Sequence, residues 1–213
     1  MTLTNGRRPA SRRGSPGKWL LAAGVALAMI CGTSAHAANA VVPNEMALGN
    51  PRAPVTVVEY ASLGCPHCAT WEQQVFPTFK KTYIDTGKVR FVLKEMLFGN
   101  STLAAAGFLT ARCAGPDKYF QVVNGVFDQQ TQIEQGGVKE LLKVAQAAGL
   151  TEDRFKACLE DQAALDTLQA RIGHYVTDDK ITGTPTFVVG GKRLVGDQTM
   201  AALATAIDAA RHP

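Results

Sequence analysis

The chain has 213 residues, 22 Lys or Arg against 18 Asp or Glu, and 46% hydrophobic side chains. That length suits one domain, or one domain carrying an insertion, with enough chain to bury a core. The basic surplus lies in residues 1–37, where Arg7, Arg8, Arg12, Arg13 and Lys18 meet no acid; removing these five leaves 17 basic and 18 acidic residues, net −1. With no basic patch interleaved with aromatics downstream, nucleic acid is not an expected partner.

Residues 1–37 are expected to be a Sec-type signal peptide. A basic n-region precedes a short apolar run over 19–30, and Ala35-His36-Ala37 and Ala38-Asn39-Ala40 both fit an A-x-A rule, placing cleavage after Ala37 or Ala40. The apolar run is short for a membrane span, so an uncleaved anchor is the competing reading. Ser11-Arg12-Arg13 hints at a twin-arginine signal, but Gly14 and Ser15 follow instead of a bulky apolar residue. Cys31 follows Ile30 rather than a small residue and is expected to leave with the leader.

Residues 38–54 form a lead-in with a short edge strand near Ala47 and Leu48. The apolar, β-branched run over 55–60 predicts a strand buried on both faces. Helix is expected from Cys65 towards Tyr83, with Pro66 in the first turn and Pro77 kinking or dividing it. Residues 88–94 alternate as the next strand, so the pair is parallel with a right-handed crossover. From about Ser101 to Asp179 only helical patterns occur. They cover 102–113, 117–127, 138–148 with Gly149 as C-cap, a helix begun by Thr151, Glu152 and Asp153 that runs through Cys158, and 163–176. Strand character returns at 186–189, Gly190-Gly191 is a hairpin turn, 192–195 the return strand, and 199–210 a closing helix. The fold class is α/β: an all-helical block inserted into a β–α–β/β–β–α frame.

Cys65-Pro66-His67-Cys68, after a strand and at a helix start, is a thioredoxin-like redox pattern. Half a zinc site is the alternative, but a zinc ribbon needs a second close pair and Cys113 and Cys158 stand alone. No metal and no cofactor are expected. Unpaired backbone N–H groups and the helix dipole favour a thiolate at Cys65, the expected exposed nucleophile, with Cys68 as the buried resolving thiol and His67 a sometimes positive neighbour. A stabilised thiolate stabilises the dithiol and makes the disulfide a stronger oxidant.

Gly183-Thr184-Pro185-Thr186-Phe187 places a proline just before an apolar strand, where it is tolerated. An ordinary turn is one reading. Together with a C-x-x-C, a cis bond is favoured, which brings the Thr184 backbone beside Cys65 as an edge for an extended peptide. Four cysteines follow the leader, and exported proteins keep disulfides. Pairing Cys65–Cys68 and Cys113–Cys158 keeps the close pair together; two free buried thiols are the alternative for the second pair. His174 is expected on the surface or satisfied, Trp71 and Phe76 in the core rather than a substrate groove, and Asp178-Asp179 at a solvated helix end.

The stretch 55–68 (VTVVEYASLGCPHC), the segment 183–187 and the helical block between them closely resemble the DsbA family of bacterial periplasmic thiol–disulfide oxidases. The resemblance implies a thioredoxin fold over 55–99 and 183–213 with a helical insertion over 100–182. It also implies a periplasmic monomer whose Cys65 exchanges through mixed disulfides with unfolded or reduced exported proteins, and a quinone-linked membrane partner that re-oxidises it. Glu59 matches the family's buried acid below the active site, with Arg90 or Lys94 as its basic partner; a solvent-facing strand residue is the alternative. Thr184 also occurs in isomerase relatives, so a disulfide isomerase or reductase kept reduced is the second reading. Against it, residues 38–54 are too few for the dimerisation domain those proteins carry. Cys113 and Cys158 resemble a second pair found in alphaproteobacterial-type members. Bonded, they would close a loop of 46 residues, for about 4 kcal/mol in the chain-entropy account. A peptide-binding holdase whose C-x-x-C is merely structural is a third reading.

Overall fold

The computed structural model describes residues 45–212. The expected signal peptide, its cleavage sites and the start of the lead-in lie outside the described residues.

The apolar runs assemble into one sheet of order β1-β3-β2-β4-β5, built from β1 (Met46–Leu48), β2 (Val55–Ala61), β3 (Val89–Glu95), β4 (Thr186–Val189) and β5 (Lys192–Val195). β2 and β3 are parallel, and the other neighbouring pairs are antiparallel. The long central strands bury nearly every residue, as strands covered on both faces must. The edges are short, and β5 is mostly exposed with Lys192 and Arg193 on it, which discourages pairing with another chain.

Pro77 divides the first helix as expected. α1 (Pro66–Gln74) ends before Val75, α2 (Phe76–Phe79) follows, and a π-helical turn spans Lys80–Ile84. Pro77 has no N–H to bond back to residue 73, but Val75 N–H still reaches Trp71 O at 2.9 Å and Phe79 N–H reaches Val75 O at 3.0 Å. The result is a kink with continuous packing.

Between β3 and β4 come α3 (Ser101–Cys113), α4 (Pro116–Asp128), α5 (Gln130–Gly136), α6 (Val138–Ala147), α7 (Glu152–Leu159) and α8 (Gln162–Thr177); α9 (Met200–Arg211) closes the chain. α5 has no counterpart among the sequence expectations. Its seven residues, mostly polar, bury only Gln130 and Ile133, too few to show a helical period.

Alternation along β2 separates two apolar clusters. Val57 and Ala61 join Trp71, Phe79, Phe91, Phe108, Tyr119, Phe187 and Ile207 on one face, whereas Val58 and Tyr60 join Val92, Met96, Tyr175 and Val188 on the other. The insertion is fastened to the sheet through buried Glu95. This carboxylate accepts from Arg112 on α3 (2.6 Å), Arg171 on α8 (2.7 Å) and the Tyr119 hydroxyl on α4 (3.0 Å). Cys113 and Cys158 are disulfide-bonded, with Cα atoms 6.0 Å apart, joining the end of α3 to α7.

One expectation is corrected on the second face. Asp179 is no solvated helix end: its Oδ2 accepts from the Tyr60 hydroxyl at 2.7 Å and from Lys94 Nζ at 3.0 Å. Lys94 also lies between the Tyr60 and Tyr175 rings, 5.0 and 4.8 Å from their centroids. Asp178 is exposed.

Candidate active site

The turn after β2 is locked before the helix begins. Ser62 Oγ donates to Phe98 O at 2.7 Å, and Asn100 N–H donates to Gly64 O at 2.9 Å. A Cβ on Gly64 would stand 2.1 Å from Asn100 O, so the two backbones can meet only where one residue has no side chain. Gln130 adds a clamp from α5, its Nε2 donating to Leu63 O at 2.7 Å and Cys65 O at 3.3 Å. Sequence reasoning missed Gln130, because a lone polar residue in a polar stretch carries no mark of its long-range partner.

Cys65 is the N-cap of α1, with extended backbone (φ −101°, ψ 118°) and Pro66 in the first turn. The first-turn N–H groups have no intrahelical acceptor and are available to the sulfur. Cys65 Sγ–H donates to Thr184 O at 3.4 Å, and the Thr184–Pro185 bond is cis. Both cysteines of the C-x-x-C, Cys65 and Cys68, are free thiols. The pair is asymmetric. Cys68 has no exposure, and burial drives its thiol pKa far up. Cys65 is pulled down from 9.0 to about 5, chiefly by the Cys68 thiol; burial opposes this, while the Thr184 side chain and the backbone N–H groups of Cys68 and His67 add to it.

The exposed nucleophile expected from the sequence is a correction: Cys65 retains 7% of its surface. Its helix-cap position aims the sulfur at the proline loop, and the tight turn closes behind it. Pro66 and His67 form the exposed rim. The His67 ring contributes through a partner the sequence did not reveal. Its Nδ1 lies 3.0 Å from Asp197 Oδ2, and that carboxylate raises the imidazole pKa.

Glu59 is 1% exposed, and its Oε2 has no hydrogen-bond partner among the described residues. Burial first, then Glu72 and Cys65, push its pKa well above the ordinary carboxylate range. Neither Arg90 nor Lys94 is its partner, a second correction. They stand opposite Thr56 and Tyr60 in the sheet, whereas Glu59 stands opposite Leu93. Successive side chains leave a strand on opposite faces, so both cations lie across the sheet from Glu59. Glu72, buried on α1, is pushed up to about 8 by burial and by Asp128.

Trp71 and Phe76 pack in the core, where Trp71 lies 4.7 Å from Phe187 between centroids and donates Nε1–H to Gln198 O at 3.0 Å. His174 is exposed and pairs with Asp178. Among the described residues, no three His, Cys, Asp or Glu side chains converge as metal ligands, and no helix is long and apolar enough to cross a membrane.

A family profile described as thioredoxin matches residues 41–209. The chain is 36% identical over 170 residues to a Rickettsia felis protein named "Putative protein-disulfide oxidoreductase", an alignment covering 78% of this chain and 60% of that one. It therefore spans less than two thirds of that relative's length. Wolbachia pipientis alpha-DsbA1 is similar in structure, with TM-score 0.74 and 25% identity over 80% of this chain and 92% of that one. BdbD from Bacillus subtilis shares the fold, with TM-score 0.71 and 23% identity over 79% of this chain and 94% of that one. With a C-x-x-C at the first helix cap, a cis-proline loop against it and a helical block inserted before β4, the chain belongs to the thioredoxin family, in the DsbA-type form of its fold.

Proposed function

We propose that this protein is a thiol:disulfide oxidoreductase acting as an oxidase, which donates a Cys65–Cys68 disulfide to cysteines of exported proteins. A client thiolate attacks Cys65 Sγ, and the Cys68 sulfur leaves and takes a proton; Glu59, held neutral by burial and coupled electrostatically to Cys68, is a group suited to give it. The client's second thiolate then attacks its own sulfur in the mixed disulfide and releases Cys65 as the thiolate. Two electrons pass from client to protein, and a low-pKa thiol leaves fastest.

In this account the protein works as a periplasmic monomer, unfolded or reduced exported chains are the clients, and a quinone-linked membrane partner removes the electrons. The redox part comprises residues 55–99 and 183–213, and residues 100–182 are the inserted domain. Thr184 and Pro185 would align an extended client segment beside the sulfur.

The asymmetry of the two thiols carries this proposal. A nucleophile near pKa 5, against about 7 for thioredoxin, favours the dithiol at pH 7 by about 2.3 kcal/mol or about 50 mV, before solvent screening reduces it. Equilibration with glutathione buffers should therefore give a potential clearly above thioredoxin's, about −270 mV. A potential at or below that value favours the isomerase or reductase reading. Cys65→Ser should lose all oxidation of a reduced unfolded client; a wild type that oxidises no client but suppresses its aggregation as well as Cys65→Ser does would leave only a holdase.

A further inference from the structure

The loop between β5 and α9 is tied to three parts of the site at once. Gly196 N–H donates to Pro185 O at 2.9 Å, next to the proline loop. Gln198 O accepts the Trp71 indole N–H at 3.0 Å, and the Gln198 side chain folds back onto Val195 O and Gly196 O at 3.0 and 2.9 Å. Between these anchors Asp197 extends its carboxylate to His67 Nδ1 at 3.0 Å. Both side chains stay largely in solvent, at 73% and 44% exposure, so the pair adds little to folding. An exposed pair held by a loop braced on both sides is better explained by what it does to the ring.

We propose that Asp197 is a positioning residue for thiol exchange: it grips the His67 ring through Nδ1 and holds the imidazolium beside Cys65. The inference rests on the thiol-exchange function proposed above. The titratable groups bearing on the ring are Asp197, from the β5–α9 loop, and Cys65, from its own helix start; Asp197 is the larger influence and both favour the protonated ring. Exchange spreads negative charge over the sulfurs, and a cation two residues from Cys65 stabilises that charge. Without the carboxylate, the ring loses its proton at lower pH and the assistance ends there. In acid the ring is charged in either case, and the variant then lacks a nearby anion that opposes the thiolate.

The test compares full-length wild type with Asp197→Asn, Asp197→Glu and, as a control, Asp208→Asn, an exposed carboxylate on α9. NMR titration of the His67 ring should show its midpoint falling in Asp197→Asn and recovering in Asp197→Glu, in both redox states. The ratio of variant to wild-type rates for oxidising a reduced unfolded client should be at or above one in acid. Between the two His67 midpoints so measured it should fall to about a half to a fifth, as expected of an exposed charge, so the two profiles cross. Asp208→Asn should track wild type. An unmoved His67 midpoint, or a rate ratio independent of pH, overturns the proposal. If wild type itself oxidises no client, the function fails, while the NMR titration still decides whether Asp197 sets the ring's charge.

Discussion

The Cys65 thiolate should make stability depend on redox state, and on pH in one direction only. The perturbation is reduction of the Cys65–Cys68 bond followed by acidification from pH 7 to pH 4. In the folded dithiol Cys65 ionises at about 5, against 9.0 for an unperturbed thiol. A lowered folded pKa stabilises the native state, fully above the unfolded value, and the gain is lost as pH falls through the folded one. At pH 7 this is worth about 2.7 kcal/mol and at pH 4 below about 0.1 kcal/mol; allowing for solvent near the sulfur, a change of about 2 kcal/mol is expected. The oxidised form has no thiol to titrate, and its loop-closure entropy does not depend on pH, so the reduced-minus-oxidised difference isolates the effect. Urea unfolding of both forms at the two pH values measures it on a chain lacking residues 1–37, and so Cys31, with two free thiols per reduced chain verified so that Cys113–Cys158 stays closed. A difference that changes by less than about 0.5 kcal/mol would show that the helix cap does not hold an anion, and the oxidase mechanism would lose its driving force.

Glu59→Gln should nearly match wild type at pH 4, where the carboxyl is neutral in the native chain and mostly so in the unfolded one. Because the native pKa of Glu59 is raised, its penalty grows as pH rises above the unfolded value, so at pH 8 the variant should be the more stable by more than about 1 kcal/mol in urea unfolding. An equal loss at both pH values would point to a missing hydrogen bond instead. Replacing Cys113 and Cys158 together by Ala should lower unfolding free energy by up to about 4 kcal/mol while leaving the Cys65 midpoint, read by thiolate absorbance, unmoved. A shifted midpoint would mean that the helical insertion helps set the chemistry at Cys65.

Residue type and local spacing already determined the strands, most helices, the C-x-x-C at a helix start and the proline before β4, because periodicity, capping and turn chemistry act over a few neighbours. Val55 to Tyr60 reads as a doubly buried strand from its side chains alone, and Pro77 marks the break in the first helix. The tertiary structure alone decided which distant groups meet. Asp197 reaches His67 across 130 positions, Gln130 clamps the Cys65 turn from 65 positions away, and Asp179 finds Lys94 and Tyr60 on the far face of the sheet. Strand parity denies Glu59 both cations that looked available in the sequence. Electrostatic and hydrogen-bond partners are chosen by distance and direction in space, and a one-dimensional pattern does not encode either until the sheet register and the packing of the inserted helices are fixed.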